Sequence, residues 1–211
     1  MRTTLLVLVA LTLSGCSGVF PGSRPYQPLD WEAAALAGSL KTAMPSDVVT
    51  DPAQYQGRLI HWVGVVDTFS VEAVGDSVFT RIEFEQHYYD YIEDFSIQDE
   101  TMFVSPLGGG RFVYADARAG ASVDSLRQSL SMGAASGNLG FVYGTLQAVR
   151  SGLPILTNGR IRFVPDRLFS TAIFRYDVRR DAEGRAVGTE NGFPELTGIE
   201  FLKIAGPGQN D

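Results

Sequence analysis

Cysteine is almost absent: the 211-residue chain carries one, Cys16, together with only two histidines and two tryptophans. A single thiol excludes a disulfide framework within the chain and any multi-cysteine metal knuckle. The histidines, His61 and His87, sit in no Ser-His-Asp arrangement, and there is no Gly-x-Ser-x-Gly elbow, so no hydrolase is legible. Charge is sparse at 19% and leans acidic, with 17 Lys and Arg against 24 Asp and Glu for a net of -7. That balance argues against a nucleic-acid binder, whose affinity comes largely from cations on phosphates. Neither a three-residue glycine period nor a sustained heptad is present, which removes collagen-like and coiled-coil rods. What is abundant is core material. The chain is 45% hydrophobic with 13 Phe and 8 Tyr, too apolar for a disordered segment and long enough for one ordinary domain.

The lone cysteine follows an export signal. Arg2 supplies a positive start, and Leu5 to Leu11 form an apolar core shorter than the roughly 20 residues a membrane-spanning helix needs. The boundary, Leu13-Ser14-Gly15-Cys16, resembles the lipobox of bacterial lipoproteins. The resemblance implies a diacylglyceryl thioether on Cys16, cleavage before it, and acylation of the new N-terminus. The simpler alternative is an ordinary secretory signal with a cysteine near its cut. Several acyl chains make anchoring effectively permanent, whereas one binds only marginally. Ser17 rather than Asp follows the cysteine, which by the same resemblance favours the outer membrane, facing the periplasm, in a Gram-negative host. Losing residues 1–15 removes Arg2 and leaves 16 basic against 24 acidic groups. Such a domain hangs from its lipid rather than lying on an anionic surface.

Residues 16–29 read as a tether, whose Gly-, Ser- and Pro-rich stretch from Ser17 to Pro28 reaches about 35 Å at roughly 3 Å per residue. A short helix is expected over Asp30 to Ala43, capped by Asp30, with Trp31, Ala34, Ala35 and Leu40 on its apolar face and Pro45 as its stop. Strands are expected at Leu59 to Val66 and at Val78 to Phe84, where Val78, Thr80, Ile82 and Phe84 share one face. Met102 to Val104 and Arg111 to Tyr114 flank the Gly108-Gly109-Gly110 turn as a hairpin. Ser122 to Met132 reads as a capped helix. Further strands are expected at Leu139 to Leu146, Ile155-Leu156, Arg160 to Val164, Phe174 to Val178 and Ile199 to Ile204, with a frayed tail over 206–211.

Two segments echo one another: Gly57 to Val65 and Gly137 to Thr145 each carry Gly, six residues, then Gly. A glycine inside a strand permits a sharp bend or a close backbone approach, as small barrels require. The echo resembles the first and fourth strands of an OB-fold barrel, with the Ser122 helix at the usual place between strands three and four. The expected fold is therefore mostly β: a small closed or partly open OB-like barrel with one internal helix and a short N-terminal helix, a single domain over 30–205 with a C-terminal extension. Asp51-Pro52-Ala53-Gln54-Tyr55-Gln56-Gly57-Arg58, leading to Trp62-Val63-Gly64-Val65, is similar to a pattern in starvation-inducible outer-membrane lipoproteins of the Slp type. That resemblance spans about residues 51–164 and brings no catalytic residues with it.

The densest polar cluster is Glu83 to Asp94, which includes Glu85, His87, Tyr88, Tyr89 and Tyr91. On a continuing strand Glu83, Glu85 and His87 share a face and, with His61, form a weak candidate metal set; a strand end passing into an acidic aromatic loop is the plainer account. Tyr88, Tyr89 and Tyr91, with His87 and Trp62, form a candidate ligand or partner surface, since tyrosines give large contact area at low entropic cost. His61 lies in an apolar strand, either as a neutral core histidine or facing a ligand. Gly108-Gly109-Gly110-Arg111 lacks the Lys-Ser/Thr of a phosphate loop. Arginines gather late, at 150, 160, 162, 167, 175, 179, 180 and 185, either as a surface for an acidic partner or lipid headgroup or as a solvated mixed face. The expectation is a lipid-anchored, non-enzymatic structural or interaction module of the bacterial envelope, without cofactor or nucleic acid and with an envelope protein or glycan as partner. The alternatives are a binding module for a small solute or glycan and, behind it, a metal-dependent enzyme.

Overall fold

The computed structural model describes residues 28–87, 103–104, 109–164, 170–190 and 192–205. Cys16, the tether up to residue 27, the tail, Gly108 and the tyrosines 88, 89 and 91 lie outside them. Three short helices lead in: α1 (Asp30–Gly38), α2 (Pro45–Thr50) and α3 (Pro52–Tyr55). Strands β1 (Leu59–Val74), β2 (Ser77–His87), β3 (Phe103–Val104) and β4 (Gly110–Ala119) follow, then α4 (Val123–Gly133), β5 (Leu139–Arg150), β6 (Leu153–Val164), β7 (Ser170–Val178) and β8 (Leu196–Ala205).

Five strands close into a barrel in the order β1-β2-β4-β6-β5, while β3-β7-β8 form a separate three-stranded sheet. Counting barrel strands alone, the ring runs 1-2-3-5-4 with strands three and five parallel, and its helix stands between three and four. This is the OB order.

Period-two patterning fills the ring. Ile60, Trp62 and Val66 of β1, Ile82 and Phe84 of β2, Phe112 and Tyr114 of β4, Val142 and Leu146 of β5 and Leu156 of β6 meet in one core. Phe84 stacks on Phe112 at 5.0 Å, and Trp62 tilts against Phe112 at 4.9 Å. Each such side chain contributes about 1.5–3 kcal/mol on burial. The glycine echo has the expected cause at Gly64 and Gly144: a Cβ on Gly64 would stand 2.9 Å from the Glu85 carbonyl oxygen, and one on Gly144 2.9 Å from the Leu156 Cβ.

A second core lies outside the barrel. Val63, Leu139, Phe141 and Tyr143 point outward and are covered by Trp31, Ala35 and Leu36 of α1. The helix is fixed there by Glu32, fully buried, whose carboxylate accepts from the Leu29 N–H at 2.8 Å and from Arg162 at 2.7 Å. Leu29, not Asp30, is thus the N-cap, with Glu32 reaching back to its N–H. The helix ends at Gly38, and Pro45 opens α2 instead of stopping α1. At the other end Ser122 caps α4 by accepting from the Ser125 N–H, and Leu126 packs on Val71 and Val78.

One expectation fails outright. Phe103 and Val104 do not pair with β4 across the glycines; they run parallel to β7, at Ser170 and Thr171. Strand β4 pairs with β2 instead, from Gln86↔Gly110 to Ser77↔Ala119. The glycine triplet adjoins the far end of a long insertion, where local turn chemistry cannot report that the true partner lies upstream.

Candidate functional site

Of the residues singled out from the sequence, His61, Trp62 and His87 fall around one end of the barrel, where β2 finishes and β4 begins. The one-turn α3 delivers the chain to it: Pro52 occupies its first turn, Tyr55 is buried, and Gly57, at φ 72°, donates its N–H to Leu146 O at 3.0 Å. Burial first, then Asp47 and Asp51, raise the Tyr55 hydroxyl above its usual range.

His61 is 3% exposed and on the outer face of β1. Its ring lies on Tyr143 at 4.3 Å, and Nδ1 donates to Val142 O at 3.2 Å. Among the described residues Nε2 has no hydrogen-bond partner. Burial, with a smaller contribution from Lys41 and against the Val142 bond, pushes its pKa down to about 3. The imidazole is therefore neutral at any ordinary pH and a weak base. This is the core histidine of the sequence reading, though it belongs to the outer core rather than the barrel interior.

Trp62, expected on a binding surface, is corrected: at 2% exposure it fills the barrel, and its Nε1 donates to Ala43 O at 2.6 Å. Barrel strands read as alternating, so one residue's neighbour being surface-like was a coin-toss that β1, covered on both faces by α1 and by its own interior, does not honour. His87 is also buried, at 6%. Both histidines line one depression of about 20 Å³ with Lys41, Met44, Gln86 and Phe193. That volume is about the size of one water.

Glu83 is elsewhere. Alternation does place Glu83, Glu85 and His87 on one side of β2, but Glu83 is held by Arg81 at 3.0 Å and Arg111 at 3.2 Å, and Arg111 also meets Asp67. No three His, Cys, Asp or Glu among the described residues form a group able to hold a metal. The outer β2–β4 face, where OB barrels commonly take ligands, thus carries Arg81 and Arg111 paired with Glu83 and Asp67, with the exposed Glu85 beside them.

Nothing in the sequence pattern shows how this end is fastened. Gln86 reaches across to accept the Gly109 N–H, so the chain leaves β2 and rejoins β4 at one clasp. The excursion between β7 and β8 then folds over the same end: Phe193 is buried beneath Lys41, whose Nζ is 5.5 Å from the ring centroid, and Arg180 pairs with Asp47 at 2.8 Å. The late arginines are largely spent within the fold. Arg162 binds Glu32, Arg179 binds Glu195, and Arg185 binds Asp181 and Glu183, which fits the solvated mixed face rather than a basic patch. Arg167 and the Arg175 side chain lie outside the described set.

No family model and no curated protein matches the chain. The likeness to starvation-inducible lipoproteins therefore rests on the residues quoted for it alone. Among the solved structures, one bears a weak likeness to this chain. It is a "putative nucleic acid-binding lipoprotein" from Klebsiella pneumoniae subsp. pneumoniae, 16% identical, with 64% of this chain and 99% of that chain covered at a TM-score of 0.37. A likeness of that size carries nothing about what this chain binds. Among the described residues no helix is long and apolar enough to cross a membrane.

Proposed function

We propose that the chain is a lipid-anchored module of the bacterial envelope that works by interaction rather than catalysis, held at the membrane through Cys16. The reading rests on the Leu13-Ser14-Gly15-Cys16 boundary, set beside a barrel whose interior is filled by its own side chains. The single observation that carries the non-enzymatic part is His61: buried, stacked and kept neutral, it is unsuited to general acid-base work near pH 7. The other histidine is equally enclosed, and Glu83 is committed to two arginines. Outer-membrane placement, facing the periplasm, follows from Ser17 by resemblance.

Intact mass of the protein extracted from envelopes tests the anchor. The expected species begins at Cys16 and carries acyl chains, and Cys16→Ala moves the protein to the soluble fraction. A bare thiol in the envelope form overturns the reading. Crosslinking in the producing cells, with Tyr88→Ala and Tyr91→Ala as comparison, tests the partner surface: adducts that weaken in the variants support it, and identical adducts exclude the tyrosines.

A further inference from the structure

The barrel is not closed equally all round. Strands β4 and β6 pair only at Val113↔Ile155 and Tyr114↔Leu156. Beyond that point both run on in the same direction, β4 to Ala119 and β6 to Val164, and no ladder joins them. The Tyr114 hydroxyl stands in where the ladder stops: it donates to Gly159 O at 2.8 Å and accepts the Gly159 N–H at 3.3 Å. Below this latch the parted strands and α4 enclose a cleft of about 370 Å³, within the range of small-ligand sites.

The lining has two characters. Ile82, Leu126, Leu130 and Phe163 make an apolar wall, and charge sits on Asp116, Arg118 and Arg160. Asp116 neutralises Arg118 at 2.9 Å. Arg160 instead lies over the Trp31 ring, 5.6 Å from its centroid, and no carboxylate among the described residues pairs with it. The cleft therefore holds one uncompensated positive charge in a protein of net charge -7. A ring face stabilises a cation yet leaves its N–H groups at the ring edge free to meet an anion.

We propose that the parted β4–β6 seam is a binding cleft for a small amphipathic anion, a carboxylate or phosphate monoester on a short apolar tail. The tail lies along the α4 wall and the headgroup meets Arg160. The site is separate from the barrel end that holds the histidines and does not depend on acylation of Cys16.

Isothermal titration into the full chain in zwitterionic nanodiscs, with empty nanodiscs subtracted, tests it. The probes are octanoate, octyl phosphate, octan-1-ol and octylammonium. Saturable one-to-one binding of at least one anion is expected, about tenfold or more tighter than the alcohol or the amine, and the tighter anion identifies the headgroup. Arg160→Met is expected to bring the anion down to the affinity of the alcohol. Ser129→Trp, at an exposed cleft position on α4, is expected to abolish binding by filling the space while leaving the thermal midpoint near the parent's. Equal affinity for alcohol and anion, anion binding unchanged in Ser129→Trp, or no saturable binding of either anion overturns the proposal.

Discussion

The two sides of the ring hold together by different means. On one side β1 is zipped to β5 from Leu59↔Thr145 to Val65↔Leu139 and to β2 from Val63↔His87 to Val74↔Ser77. Its inner face is in the aromatic core and its outer face is sealed by α1. On the other side two residue pairs, one tyrosine hydroxyl and a helix do the same duty for β4 and β6. The lesson is that a barrel can be topologically closed while keeping a place where backbone and side chains face a cleft. Rigidity and accessibility are assigned to opposite flanks, and the loosely joined flank is where a ligand finds room.

The largest effect should come from the zipped side. Phe84→Ala removes a fully buried ring that stacks on Phe112 and covers Gly140, and should cost about 3–5 kcal/mol in urea unfolding. A loss under about 1 kcal/mol would mean the interior is far looser than its packing. Next is Gly159→Ala beside the seam, where a Cβ would run into the Tyr143 carbonyl. Because backbone and not a flexible side chain must yield, about 3 kcal/mol is expected.

Acid should also discriminate between the flanks. His61 titrates near 3 when folded and near 6.5 when unfolded. Between those values the unfolded chain holds a proton that the folded chain refuses, so stability falls as pH falls, by about 1.4 kcal/mol per unit. Above about pH 6.5 the contribution is flat. Going from pH 7 to pH 5 should cost about 2 kcal/mol through this residue, and His61→Phe should flatten that part of the profile. An unchanged slope would place the acid sensitivity elsewhere. The smallest effect belongs to the latch. Tyr114→Phe leaves the Gly159 N–H and C=O without their partner, at about 1–2 kcal/mol. Hydrogen exchange should quicken at Gly159 while the β1–β5 amides stay protected.

Much of this architecture is legible in the chain. Alternation over Val78 to Phe84 names the inward face of β2 correctly, because its apolar members are all buried, Val78 against α4 and Ile82 and Phe84 in the barrel core. Paired glycines at 57 and 64, and at 137 and 144, identify β1 and β5, and Ser122 marks the start of α4. The glycine triplet suggests a hairpin that does not form, because a turn signal is local and the pairing of β2 with β4 is not. Trp62 is hard to place from the sequence because β1 buries both faces along much of its length, which erases the alternation that separates inside from outside. The cleft could not have been found at all. Its residues come from α1, β2, β4, α4 and β6, and nothing in Asp116, Arg118 or Arg160 hints that a ladder stops beside them.

The Gln86–Gly109 clasp has a consequence for how such a protein diversifies. Because β2 and β4 are in register right up to the clasp, the barrel is indifferent to how much chain is threaded between them. Doubling the length of that excursion adds only about 0.6 kcal/mol of closure entropy. Residues 88–102, upstream of the β3 pairing with β7, can therefore be lengthened or rewritten as a cassette at little cost to the barrel beneath.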